Sequence, residues 1–373
     1  MRVSFITRQI ALQALAIVAL VVSLGSSAHA DIAQPYPAAD QLFRSDVHWL
    51  GGDVASSIEL SPGRVLWLFG DSFIAPSPPF IRPKAAFVRN SIGVQEGTDA
   101  RSARISFAWR GGQRPASFFA DAGEKWYWPS GGAIRMPAGP LLVFLFKVGA
   151  TPNQGLGFEI TGYALARIEN PDDDAGAWRV EIRDQKMAPF DAIPGSAVLA
   201  TPPYVVVLAT RQRGIHAGMW VRYDAQAFAR GDLSRPEWWM GERLGWRAPE
   251  AMGANVPRKV MRDAGAESSV HWDARTRRYL HVASYGFGAT RIGVRTAAKL
   301  TGPWSAPRMV YEPLESLGPK PFVYAGKAHP EQVAPNDGGL VISYVANSFE
   351  PETILSAEGQ RRLYWPRFAI VPR

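Results

Sequence analysis

The sequence predicts an all-β protein, and three observations carry that expectation. The 373-residue chain is rich in turn formers and large rings, with 35 Gly, 30 Pro and 13 Trp. Its apolar residues follow no long 3.6-residue period of the kind an amphipathic helix needs. Instead, short runs with strand character recur along the whole length, each bounded by Gly, Pro, Asp or Asn.

The runs come as hairpins. Residues 51–73 read GGDVASSIELSPGRVLWLFGDSF: VASSIEL alternates loosely, SPGR supplies Pro and Gly for a tight turn, and VLWLFG returns as an apolar strand. Four more follow, at 129–147 (PSGGAIRMPAGPLLVFLFK), 196–211 (SAVLATPPYVVVLATR), 267–285 (ESSVHWDARTRRYLHVASY) and 329–347 (HPEQVAPNDGGLVISYVAN). Their starts lie about 60 to 80 residues apart, which suits a four-stranded unit with generous loops. Outer strands are visible as ITGYALARI and AWRVEIR, then GMWVRYD, then TRIGVRTA and WSAPRMVYE. Five such units arranged radially make a five-bladed β-propeller, and with no linker in sight it forms one domain over residues 31–373. A pair of β-sandwiches is the alternative. Helix is confined to a turn near AQAFARG. Both termini are expected to close one blade, YWPRFAIVP as its final strand and DQLFRSDVHWL beside it, so that no sheet edge is left open.

Residues 1–30 hold Arg2 and Arg8, then an apolar run, then Ala-His-Ala, the pattern of a secretory signal peptide. An uncleaved anchor is the alternative, disfavoured because the apolar run is short for a spanning helix. The expected location is periplasmic or secreted. Cysteine is absent, which excludes disulfides, thiol nucleophiles and thiolate metal sites. The net charge is +8, or +6 without the two leader arginines, and bases and acids are interspersed. That disfavours nucleic acid as a partner. The expected protein is a monomer without cofactor or metal, since no His-x-x-x-His or calcium-loop spacing occurs. No Gly-x-Ser-x-Gly elbow marks a serine hydrolase.

Chemistry is expected where hairpin ends meet. Asp53 enters the first hairpin and Asp71 leaves it, so antiparallel pairing sets them side by side at one rim, with SPGR at the other. Neighbouring carboxylates repel, and one holds its proton while the other ionises. Acid–base cleavage of a glycosidic bond needs such a pair. Asp53 is assigned as base and Asp71 as acid, roles the two can exchange. Glu267 enters the fourth hairpin as a third acid. His329 and Glu331 enter the fifth, and Tyr285 leaves the fourth, as substrate-binding groups. Arg89 and Asn90 precede a strand near the same funnel, where an arginine can bind sugar hydroxyls or hold an aspartate ionised. In WYWPSGG, Trp126 and Trp128 share one strand face and Tyr127 takes the other. Trp128 is a candidate sugar platform, with blade packing as its bland alternative.

The segments GGD, LWLFGDSFI, RNSIGVQ, WYWPSGG, LTGPWS and AHPEQ together resemble secreted bacterial domains of unknown function in the five-bladed-propeller glycosidase superfamily, related to endo-D-arabinanases. The resemblance spans essentially the whole mature chain. It implies a polysaccharide substrate, an arabinan-like furanose polymer, and a glycoside hydrolase with a first-blade carboxylate base. Asp53 and Asp71 match the paired first-blade aspartates, and Glu267 a fourth-blade acid. The better-known arabinanases carry their general acid on the third blade, where this chain has Ser196. A non-catalytic carbohydrate-binding propeller of the cell envelope is the second expectation.

Overall fold

The structure, a computed structural model, describes residues 33–373 apart from 152–156, 188–189, 213, 287–289, 318–320, 336–337 and 373. The expected signal peptide over residues 1–30 therefore lies outside the described residues. Five antiparallel sheets follow one another along the chain. The first is built from Ser56–Ser61, Arg64–Phe69, Ser91–Glu96 and Arg104–Ala108. The second holds Trp126–Arg135, Leu141–Ala150, Phe158–Ile168 and Val180–Gln185. The third holds Ala192–Thr201, Tyr204–Arg211, Gly218–Asp224, Glu237–Trp239 and Trp246–Arg247. The fourth holds Ser269–Asp273, Arg278–Tyr285, Arg291–Ala297 and Arg308–Tyr311. In the fifth, Pro321–Ala328, Gly339–Ser348 and Pro366–Pro372 are joined at the far edge by Gln34–Pro35.

The second strands of the first, second, third and fifth sheets are buried on both faces almost throughout, which explains their continuous apolar runs. In the first sheet, Leu66 and Leu68 pack against Leu141, Val143 and Leu145 of the second. The alternate residues Val65, Trp67 and Phe69 point the other way and pack with Val341 and Phe368 of the fifth. The second sheet repeats the rule: Leu142, Phe144 and Phe146 join Val205 and Val207 of the third. Val206 and Leu208 then meet Val270 of the fourth, and Val282 and Ile292 meet Val323 and Ile342 of the fifth. Each core layer thus belongs to two sheets.

The all-β class holds, and helices are short. The turn at AQAFARG is a helix over Ala225–Ala229, capped by the Asp224 side chain. One expectation for closure is corrected. DQLFRSDVHWL does not extend the fifth sheet: Pro37–Leu42 is helical, with Pro at its first position, and Trp49–Gly52 leaves for a small separate sheet with Ser72–Ile74 and Ala86–Val88. Gln34–Pro35 forms the edge strand of that sheet instead, opposite Ile370 and Ala369. A second correction concerns the fifth hairpin. Its first strand is Pro321–Ala328, so the strand ends where it was expected to begin. Among the described residues no helix is long and apolar enough to cross a membrane.

Candidate active site

The small three-stranded sheet sets the two aspartates. Asp53 follows Trp49–Gly52 and Asp71 precedes Ser72–Ile74, and these strands pair with Gly52 opposite Ser72. The Asp53 amide donates to the Asp71 carbonyl at 3.3 Å, and the Gly70 amide to the Asp53 carbonyl at 3.3 Å. The side-by-side placement read from the sequence is therefore present. Beyond Asp53 the chain kinks: Val54 has φ 65° and Ala55 φ 50°. A β-branched residue rarely enters that region, so surrounding contacts must hold it. The Ala55 amide bonds the Asp53 carbonyl at 2.8 Å, and Lys327 Nζ donates to the Val54 carbonyl. Gly70 permits the close approach, since a Cβ there would lie 2.3 Å from Asp53 Oδ1.

Each aspartate has its own donors. Asp53 Oδ2 accepts from Tyr324 OH at 2.8 Å and Tyr364 OH at 3.2 Å, and Asn347 Nδ2 donates to the Tyr324 oxygen at 3.3 Å. Asp71 Oδ1 accepts from Trp128 Nε1 at 2.8 Å, and Oδ2 from Arg89 Nη1 at 3.5 Å. Arg89 is itself braced, its guanidinium 4.2 Å from the centre of the Trp126 ring. Burial pushes the Asp53 carboxyl well above its ordinary range, and the charges of Asp71 and Glu267 push it further. Burial lifts Asp71 to about 6, against the pull of Trp128 and Arg89. Glu267 is also raised by burial, opposed by Lys327 and His216. Lys327, only 2% exposed, is held down to about 8 by burial despite Glu267 and Asp53. The three acids predicted from sequence therefore share one poorly solvated cluster, with Lys327 facing two of them. Burial therefore opposes ionisation at all three carboxylates, and at Asp53 the neighbouring acids add to it.

Two cavities flank this cluster. A cleft of about 610 Å³ is lined by Asp71, Arg89, Trp126, Trp128, Asn347 and Tyr364, together with apolar side chains. Asp53 is not part of its wall and meets it through the Tyr364 hydroxyl. The other cavity, of about 460 Å³, touches the inner strand of all five sheets and is lined by residues such as Ser56, Ser196, Ser268, Lys327 and Glu331.

The predicted binding residues divide. Arg89 and Trp128 belong to the cleft. Trp126 and Trp128 do share a face, and Tyr127 packs on the opposite one. Asn90 does not line the cleft. It is fully buried and spends its amide on backbone, donating to Phe119 O and Tyr127 O and accepting from Phe119 N. His329 and Glu331 lie past the end of Pro321–Ala328, away from Asn347 and Tyr324, so they miss the carboxylate rim. Both bond Ser57 in the wall between the first and fifth sheets, and His329 also meets Ser343 at 2.7 Å. Tyr285 turns outwards, its hydroxyl accepting from Arg295 Nε at 2.9 Å. Ser196 is buried against Thr210, and the third inner strand begins earlier, at Ala192 with Asp191 before it. Sequence reasoning passed over Tyr324, Lys327 and Tyr364. The first two were readable as part of the alternating run FVYAGKA, had that run been taken as the strand. Tyr364 carried no local signal.

Comparison with known proteins follows this geometry. A family model described as "Domain of unknown function (DUF5005)" matches residues 38–372. None of the curated proteins matches the chain. A Bacteroides ovatus structure described as "a putative hydrolase" is similar with TM-score 0.69 and 16% identity, over 91% of this chain and 90% of that one. This establishes a shared fold and nothing about activity. The catalytic domain of a Coprinopsis cinerea GH62 alpha-L-arabinofuranosidase gives TM-score 0.45 and 12% identity, over 92% and 96% of the two chains. A xylan beta-1,4-xylosidase from Bacillus halodurans gives 0.45 and 10%, over 88% of this chain and 53% of that one. Similarity at that level carries no argument.

Proposed function

The chain belongs to the DUF5005 family, a domain of unknown function, and from that premise we propose a function for it from its site: glycoside hydrolysis of a furanose-containing, arabinan-like polysaccharide by carboxylate acid–base catalysis. The observation that carries the reading is the cluster of Asp53, Asp71 and Glu267 beside an aromatic cleft, with their carboxyls pushed up by burial. In this reading the five sheets are blades of one propeller. Packing of the fifth sheet on the first, and the contribution of every inner strand to one cavity, support it. The protein is proposed to act as an exported monomer, in keeping with its leader-like first 30 residues.

The electrostatics favour exchanging the two aspartate roles. Asp71 faces the cleft beside Arg89 and is ionised above about 6, so it serves as the base that activates water. The retained proton sits on the Asp53–Glu267 side, where burial and mutual repulsion are stronger, and passes from there to the leaving oxygen. The activity profile is then bell-shaped. Its acid limb, near 6, reports ionisation of Asp71, and its alkaline limb reports loss of the retained proton. Arg89→Ala removes the cation that lowers Asp71, so the acid limb moves up by about one unit. A kcat/KM profile of that variant with an unmoved acid limb removes Asp71 from the base role.

The direct test measures reducing ends released from a panel of arabinans. Asp53→Asn and Asp71→Asn each lower turnover by about 10³-fold while glycan binding persists. The alternative, a non-catalytic carbohydrate-binding propeller, draws support from the absence of Asp53 from the cleft wall. It prevails where the wild type binds arabinan and releases no reducing ends.

A further inference from the structure

The described lining of the 610 Å³ cleft carries few charged side chains. Asp71 and Arg89 are the charged residues among its described lining, and they bond each other. Trp128 Nε1 is engaged by Asp71, and the Tyr364 hydroxyl by Asp53. Asn347 gives its amide nitrogen to Tyr324 and its oxygen to the Ser348 amide, while the Ser348 hydroxyl accepts from the Glu350 amide. A sugar carries a hydroxyl on most ring carbons, and each one buried without a partner is costly. Trp126 Nε1 has no partner among the described residues and Arg89 keeps further N–H groups, so polar contacts for one sugar are available beside Asp71.

The rest of the wall is apolar, including Phe73, Phe87, Phe158, Pro351, Ile354 and Leu355. Two of these side chains are left in solvent, Phe87 at 48% and Leu355 at 38% exposure. Apolar groups exposed together around a cavity mark a place where an apolar ligand binds. Leu355 and Ile354 come from the short helix Pro351–Leu355, which the chain inserts between the last two strands of the fifth sheet. That insertion gives one side of the cleft an aliphatic wall next to the carboxylates.

We infer that this cleft also accepts an apolar aglycone, so that beside polysaccharide the enzyme takes alkyl or aryl glycosides whose sugar reaches the carboxylates and whose leaving group lies on Phe87, Ile354 and Leu355. The inference rests on the hydrolase reading of the same cleft. Transferring apolar carbon from water to such a wall is worth a few-fold in affinity per methylene, and somewhat less where the wall is half exposed. A six-carbon chain should therefore raise affinity by about 30-fold over a single methyl.

The probes are methyl and hexyl α-L-arabinofuranoside, titrated calorimetrically into Asp71→Asn and offered as substrates to the wild type. Hexyl is expected to bind at least about 30-fold more tightly than methyl, and the doubly substituted Phe87→Ser/Leu355→Ser protein to lose at least about tenfold of that advantage. Both side chains are substantially exposed, so the double variant remains folded, which circular dichroism checks. An advantage below about threefold, or one that survives the double substitution, overturns the inference. Cleavage of both glycosides by the wild type with equal kcat/KM leaves the hydrolase reading in place and removes the apolar site. Tight hexyl binding without any cleavage does the reverse.

Discussion

Arg82→Met lowers folding stability by about 4 kcal/mol, measured as a shift in the urea midpoint at constant slope. Arg82 is 1% exposed, and no carboxylate pairs with it among the described salt bridges. Its guanidinium donates instead to backbone carbonyls: Leu50 at 2.9 Å, Ile354 at 3.1 Å, Gly359 at 3.3 Å, Leu363 at 2.7 Å and Tyr364 at 3.5 Å. Burial pulls its pKa down to about 9, so it remains charged at neutral pH. Rings of Phe73, Tyr364 and Trp365 surround it at 5.4, 6.0 and 5.5 Å. Methionine fills the volume but leaves the carbonyls buried and unpaired, which is the expensive half of the exchange. Arg82→Lys does not restore it, because three rotatable protons cannot replace a five-donor fork. Since the same guanidinium ties down the segment that carries Ile354 and Tyr364, activity falls along with stability. A loss below about 1 kcal/mol in Arg82→Met means that water reaches these carbonyls and that the segment is held by something else.

Lys327→Met lowers kcat/KM by about 10²-fold and moves the alkaline limb of the pH profile, which reports the Asp53–Glu267 proton, upwards by about one unit. The side chain acts twice. Its ammonium faces Asp53 and Glu267, whose carboxyls rise further once the positive charge is gone. Its bond to the Val54 carbonyl holds the left-handed pair that aims Asp53. Stability changes less, and the sign follows from linkage. The folded pKa, about 8, lies below the ordinary lysine value of 10.5, so the folded state favours the neutral amine. The stability tied to this group is fully present above about 10.5 and is lost as pH falls through about 8. At pH 7 removal of the charge relieves that cost and offsets the lost hydrogen bond. A variant with an unmoved alkaline limb shows that Lys327 does not govern the cluster, whatever its turnover.

Much of the fold was legible because sheets buried on both faces write themselves as unbroken apolar runs. VLWLFG, LLVFLF and YVVVLATR each serve two core layers, and GMWVRYD coincides with the strand Gly218–Asp224. The fifth unit was misread for a physical reason. HPEQVAPNDGG combines polar residues with turn formers, as a hairpin opening does, but the inner strand has already ended at Ala328, so His329 and Glu331 follow it instead of entering it. Asn90 was misassigned because a polar side chain beside Arg89 looks exposed in one dimension, whereas it satisfies backbone groups of residues 119 and 127 in three. Asp53, Asp71 and Glu267 could be placed near one another from sequence because strand ends are local features. Their partners Tyr324 and Tyr364 come from the far end of the chain, and no spacing rule links positions about 300 residues apart.

The shared sheet of the two ends has a consequence for biosynthesis. Pro366–Pro372 pairs with Gln34–Pro35 on one side and Gly339–Ser348 on the other, and Phe368 fills the core layer between the first and fifth sheets. A chain still emerging from the ribosome lacks this piece until all five sheets have otherwise been made. Trp67, Phe69 and Phe43 then have no lid, and the layer they belong to stays open to solvent. Such long-range pairing is slow to form. The nascent polypeptide should therefore stay loosely collapsed until Pro366–Pro372 has emerged, a condition that favours handling by chaperones over early completion of the first sheet.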